Sequence, residues 1–124
     1  MAKYEFSVSV VPQFVPEQSA PDEDRYLFAY TVTVRNTGDV TAKLMARHWI
    51  ITDADGKVEE VRGPGVVGEQ PVLRPGESFQ YTSGCPLETP VGSMRGEYKC
   101  VAEDGTAFEA AIPEFILSMP RVLH

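Results

Sequence analysis

No stretch of this chain approaches the ~18 consecutive apolar residues of a membrane span, so nothing in the sequence reads as a helix that crosses a bilayer. The opening residues, MAKYEFSVSV, alternate and carry charge. They lack the apolar core and small-residue cleavage site of a secretory leader, and the expected location is the cytoplasm. Basic residues are scarce. Eleven Lys and Arg face 18 Asp and Glu, a formal net charge of −7. Nucleic acid and anionic lipid both attract a basic face, so no nucleic-acid partner and no membrane partner is expected.

Cysteine and histidine are scarcer still. Cys85 and Cys100 form no CxxC pattern, and the only histidines are His48 and His124. The usual zinc spacings are therefore absent. Without a leader the two cysteines read as reduced thiols rather than a disulfide. No metal ligands, no cofactor and no catalytic residues are expected. A Walker loop is missing as well, because no GK[ST] follows a glycine run.

What the chain has in quantity is alternation, proline and glycine. Its 124 residues suit one domain, spanning 1–124. Phe6, Val8 and Val10 alternate with polar residues, and Tyr26, Phe28, Tyr30, Val32 and Val34 share one face of a longer run. This is the period-two pattern of half-buried strands rich in β-branched and aromatic residues. Further strands are expected over 43–53, 58–61, 78–83, 95–102 and 106–112, with 115–117 resuming the last. Asp53-Ala54-Asp55-Gly56 and Glu103-Asp104-Gly105 read as turns, since Asp and Gly tolerate left-handed backbone. Pro113 cannot donate to a ladder and predicts a bulge, an end or an edge there. Two long loops are expected, over 12–24 and 62–77. Ten prolines and ten glycines at strand-like spacing, with no helical stripe, predict an antiparallel β-sandwich of seven to eight strands. It would be fibronectin type III-like or immunoglobulin-like. A tyrosine after Leu73-Arg74-Pro75-Gly76-Glu77, such as Tyr81, is a candidate corner residue.

Gly63-Pro64-Gly65-Val66-Val67-Gly68 spells GxGxxG. In a dinucleotide-binding fold this motif follows a strand and opens a helix, whose N-terminal N–H groups hold the pyrophosphate. Here Pro71 and Pro75 leave no room for a helix, Pro64 removes one donor, and Glu59, Glu60 and Glu69 surround the loop with like charge. One reading is a sandwich loop that needs unusual backbone angles at three points, which glycine supplies without steric cost. The other is a phosphate site at Gly63, Gly65 and Gly68, with Arg62 and Arg74 as anion contacts.

Arg47-His48-Trp49 is a second cluster. In a strand Arg47 and Trp49 share a face. Trp49 then serves as a core anchor, or as an exposed platform with Arg47 stacked on it. His48 has no Ser or Cys in a nucleophile context beside it. Asp22-Glu23-Asp24 lacks the alternating ligands of a calcium loop and reads as solvated charge.

Several blocks together resemble the bacterial ApaG family. They are 47–53 (RHWIITD), 63–71 (GPGVVGEQP), 73–77 (LRPGE), 81–87 (YTSGCPL), 92–96 (GSMRG) and 112–115 (IPEF), followed by Ser118. They occur in order over nearly the whole chain. The resemblance implies a fibronectin type III-like sandwich and an association with cobalt and magnesium resistance, often described as efflux-related. It also implies a role as a protein-interaction module, as in related eukaryotic F-box and polymerase-interacting proteins. It carries no catalytic residues. A pyrophosphate-binding proposal in the family maps onto Gly63, Gly65 and Gly68. The expected function is a non-enzymatic binding module for a protein partner. A sensor for a pyrophosphate-containing nucleotide at 63–68 is the alternative, and a phosphohydrolase the third. Open sheet edges leave room for a homodimer.

Overall fold

The computed structural model describes residues 2–120, so His124 lies outside the described residues. Eight strands make two antiparallel sheets: β1 (Phe6–Phe14), β2 (Tyr26–Asn36), β3 (Ala42–Asp53), β4 (Val58–Pro64), β5 (Val72–Leu73), β6 (Ser78–Leu87), β7 (Val91–Ala102) and β8 (Ala107–Ser118). The smaller sheet runs β1-β2-β6. The larger runs β4-β3-β7-β8, with β5 also paired to β3. Two short 3-10 turns, Pro16–Gln18 and Pro21–Glu23, cross between β1 and β2. The expected β-sandwich is therefore the observed fold.

Proline placement follows the edge rule. Pro12, Pro64, Pro86 and Pro113 lie inside strands β1, β4, β6 and β8, and each of these is the outer strand of its sheet. An edge strand can point a donorless nitrogen away from its neighbour, whereas the inner strands β2, β3 and β7 contain no proline. This explains why several strands outrun their expected bounds. β1 continues through Pro12, and β6 continues through Gly84-Cys85-Pro86 to Leu87. β8 passes Pro113 through a register shift opposite Met94 and Gly96.

The alternating face of β2 is buried as expected, from Tyr26 to Val34. It meets Trp49 and Phe115 of the larger sheet. Tyr30 and Trp49 cross edge to face at 5.3 Å, and Phe115 stands edge-on to Trp49 at 5.9 Å. Each such pair adds roughly 0.5–1.5 kcal/mol beyond burial of its area. Trp49 is the core anchor, not an exposed platform, at 3% exposure. Tyr81 does not act as a corner. Its hydroxyl crosses the core to hydrogen-bond the Tyr98 hydroxyl. Burial pushes the Tyr81 phenol up to about 12 and raises Tyr98 further, so both stay neutral. The two thiols, Cys85 and Cys100, are free and buried, and burial raises them to about 11 and about 12.

Asn36 is the one buried amide of the core. Its Nδ2 donates to the Val40 and Leu73 carbonyls at 2.9 Å each, and its Oδ1 accepts from Gly38 N–H at 2.9 Å. It thereby ties the β2–β3 turn to β5. Nearby, the Gly76 N–H returns to the Asn36 carbonyl at 2.8 Å. Buried polar groups are tolerated when satisfied in this way.

The tyrosine pair gives a direct test. Tyr98→Phe or Tyr81→Phe strands the other hydroxyl in the core and should cost about 1–3 kcal/mol. The double variant should lose clearly less than the sum of the two. Urea unfolding of all four proteins at an unchanged m-value measures the coupling.

Candidate functional site

The glycine loop lies on the outer edge of β3. β4 pairs with β3 from Thr52 back to Ala46, the chain leaves as the loop, and β5 returns to pair with Ala42 and Lys43. A β-bulge between Leu44 and Ala46 on β3 makes the departure possible. It turns out the carbonyl of Met45, which accepts Gly65 N–H at 2.8 Å and Gln70 Nε2 at 2.9 Å.

The loop closes on itself as a two-residue turn. Val66 N–H donates to Glu69 at 2.8 Å, Glu69 N–H returns to Val66 at 2.9 Å, and φ is +44° at Val67 and +81° at Gly68. Positive φ at both central positions is the type I′ geometry, normally filled by Asn, Asp or Gly. A β-branched residue at positive φ is a steric outlier. Val66 is fully buried beneath the turn, whereas Val67 is 55% exposed at its tip.

The three glycines have separate reasons. Gly65 has φ of +58° and no room for a Cβ against the Glu69 carbonyl, and Gly68 has positive φ. Gly63 has ordinary backbone. A Cβ there would meet the Arg47 guanidinium at 2.9 Å. The expectation of special angles at three glycines thus needs a correction: the third strained position is Val67. Arg47 braces the loop through Nη1, which donates to Pro64 O at 2.9 Å and Gly65 O at 3.1 Å. Its role was invisible in the sequence, because it depends on the pairing of Arg47 with Gly63 across β3 and β4.

The loop therefore directs the N–H groups of Gly65, Val66 and Glu69 to protein carbonyls. Arg62 shares a shallow depression with Gly63, Pro64 and Arg47, and its guanidinium stands 3.6 Å from Glu60. Arg74 lies in the turn after β5, paired with Glu77 at 3.1 Å, and is not among the residues lining that depression. Arg47, not Arg74, is the guanidinium that touches the glycine loop.

Beside the loop, Met45, Val72 and Val101 line an apolar hollow of about 320 Å³ with Thr41, Lys43 and Glu103 at its margin. Further along the outer face, His48 is held between two carboxylates. Its Nε2 is 2.9 Å from Glu60 on β4, and its Nδ1 is 3.3 Å from Glu97 on β7. The His48 hydrogen bond and Arg62 hold Glu60 below the usual carboxylate range. Glu109 and then His48 do the same for Glu97. Asp22-Glu23-Asp24 occupies a 3-10 turn and its exit. Among the described residues no group of three or more His, Cys, Asp or Glu is placed to hold a metal ion.

Fold and loop together define a class of protein: an eight-stranded all-β sandwich that carries a rigid glycine turn on the edge of its larger sheet. A family model described as the ApaG domain matches residues 16–102. Protein ApaG of Dechloromonas aromatica is 63% identical over 122 residues, 98% of this chain and 96% of that protein. Protein ApaG of Ralstonia nicotianae is 62% identical over the full length of both. A crystal structure from Bordetella pertussis superposes with a TM-score of 0.94 at 59% identity over 98% of each chain. A Bacteroides uniformis β-glucuronidase matches 14% of its own length and 90% of this chain, with a TM-score of 0.55 and 15% identity. That likeness extends to the fold alone. The chain belongs to the ApaG family.

Two outcomes test this geometry. Val67→Asn should raise stability by about 1 kcal/mol by relieving the left-handed strain. Gly65→Ala should lower it by more than that. Chemical denaturation reads both. In the second, Glu60 and Glu97 have pKa values lowered from about 4.5 on folding. Their contribution is present above that unfolded value and is lost as pH falls through the lower folded one. Melting temperature should fall below about pH 4.5, and less steeply in His48→Ala than in the wild type.

Proposed function

We propose that the protein is a non-enzymatic binding module that recognises a protein partner through the β4–β5 edge. One observation carries this reading. Val67 is a half-exposed hydrophobe held at positive φ on the tip of a turn closed by the reciprocal Val66–Glu69 hydrogen bonds. Strain of about 1–3 kcal/mol persists where function needs the geometry. A rigid apolar tip next to β5, with the Met45, Val72 and Val101 hollow on the same sheet, resembles the anchor and pocket of a docking surface. Among the described residues, the histidine and the two thiols are otherwise engaged. His48 bridges two carboxylates, and the cysteines are buried with raised thiol pKa values.

The cobalt and magnesium resistance implied by the family resemblance would act through such a partner. No helix among the described residues is long and apolar enough to cross a membrane. The alternative ligand, a pyrophosphate-containing nucleotide, is supported by the placement of Arg62 beside Gly63. It is supported less by the loop itself, where the Gly65, Val66 and Glu69 N–H groups already serve Met45, Glu69 and Val66.

Val67→Asn separates function from folding. The variant should be at least as stable as the wild type, yet lose about ten-fold or more of partner capture from native lysate. Equal capture by both proteins would end the assignment to this edge. Heat on calorimetric titration with inorganic pyrophosphate, abolished by Arg62→Ala, would favour the nucleotide reading instead.

A further inference from the structure

The sandwich does not close completely between the β4 and β6 edges. A cleft of about 240 Å³ opens there, and Tyr30, Arg47, Trp49, Ser83, Met94 and Glu59 are among the residues that line it. It is a different surface from the outer-face hollow near Met45, because it faces inward, between the sheets.

Its chemistry is one-sided. Arg47 enters none of the ion pairs among the described residues. Its only protein partners there are the carbonyls of Pro64 and Gly65, both reached through Nη1. The remaining guanidinium donors have no carboxylate, in a chain of net charge −7. Arg47 lines the cleft together with Tyr30 and Trp49. The Trp49 indole N–H has no hydrogen-bond partner among the described residues. No sealed polar side-chain atom there is left unpaired, so that N–H keeps access to solvent, and Trp49 is among the residues lining the cleft. Ser83 stands opposite Tyr30 across the β2–β6 ladder, adding two hydroxyls. Glu59 is the one acidic side chain in the lining, and Ile51, Val61 and Met94 supply apolar wall.

Guanidinium donors without a carboxylate partner, beside an indole N–H, call for an anion. Apolar and aromatic walls call for a flat apolar body behind it. Small-molecule sites combine a mostly apolar lining with a few placed polar groups, and a guanidinium matches a carboxylate in its fork geometry. We propose that this cleft binds a small planar organic carboxylate. The carboxylate sits on Arg47 with help from the Trp49 N–H and Ser83, and the ring lies against the apolar wall at Val61 and Ile51. Bare phosphate leaves the apolar wall unused.

Trp49 is the only tryptophan in the chain, so its single indole N–H cross-peak in a proton–nitrogen NMR spectrum reports the cleft directly. Benzoate is the probe, and benzamide its uncharged isostere. Benzoate should shift the cross-peak saturably at millimolar concentration, and benzamide should bind about ten-fold more weakly or worse. Arg47→Met should weaken benzoate about ten-fold and leave benzamide unchanged. Because Arg47 also braces the loop, Ser83→Leu serves as a second variant, filling the cleft without touching the guanidinium, and should abolish both shifts. An unmoved cross-peak at about 20 mM benzoate, equal binding of benzamide, or full binding by Ser83→Leu would each overturn the assignment. The outcome is independent of Val67 and of partner capture.

Discussion

The aromatic contact between the two sheets is the constraint on which the other features rest. Trp49 meets Tyr30 from the opposite sheet and Phe115 and Tyr98 from its own, with ring centroids 5.3 to 6.4 Å apart. Aromatic rings are bulky and resist compression, so they set the separation of the sheets near the middle of β3. The Tyr81–Tyr98 hydroxyl pair joins the same sheets beside them. Where the rings thin out, between the edges of β4 and β6, the sheets leave a cleft instead of a seam. The side chain that holds the sandwich together is thus also the floor of its inner opening.

A second consequence runs through β3. Trp49 must face inward, and strand alternation then turns Arg47 inward and His48 outward. On one side His48 links β4 and β7 through Glu60 and Glu97. On the other, Arg47 lies over Gly63 and holds the loop carbonyls. The bulge at Met45 adds the carbonyl that receives the loop's own donors. One strand therefore organises core, loop and outer face. The glycine turn is rigid because it is built into that strand's pairing, and Val67 remains the strained point that this rigidity sustains.

Much of the fold was legible in the residues. The alternating apolar face of β2, the Asp-Gly turns after β3 and β7, and the core position of Trp49 all follow from local pattern. Strand ends were less legible, because Pro12 and Pro86 read as strand limits until their edge positions are known, whereas Pro113 reads as a bulge, an end or an edge and lies beside a register shift on an outer strand. The loop shows the same limit. GPGVVG in isolation is an array of glycines open to several readings, and its flanking prolines correctly deny it a helix. That Gly63 is small for the sake of Arg47, and that Val67 takes a glycine-like angle, depends on a residue 16 positions away and on a hairpin bond between Val66 and Glu69.

By itself the sequence determined the all-β sandwich, the family and the residues that fill the core. Alternation, turn chemistry and block order are local properties of the chain. Only the tertiary structure decided what the glycine loop does with its donors, which arginine braces it, and where an aromatic cleft stays open. Those features depend on the register of β3 with β4 and on the approach of two sheets, and such long-range pairings leave no signature in neighbouring residues.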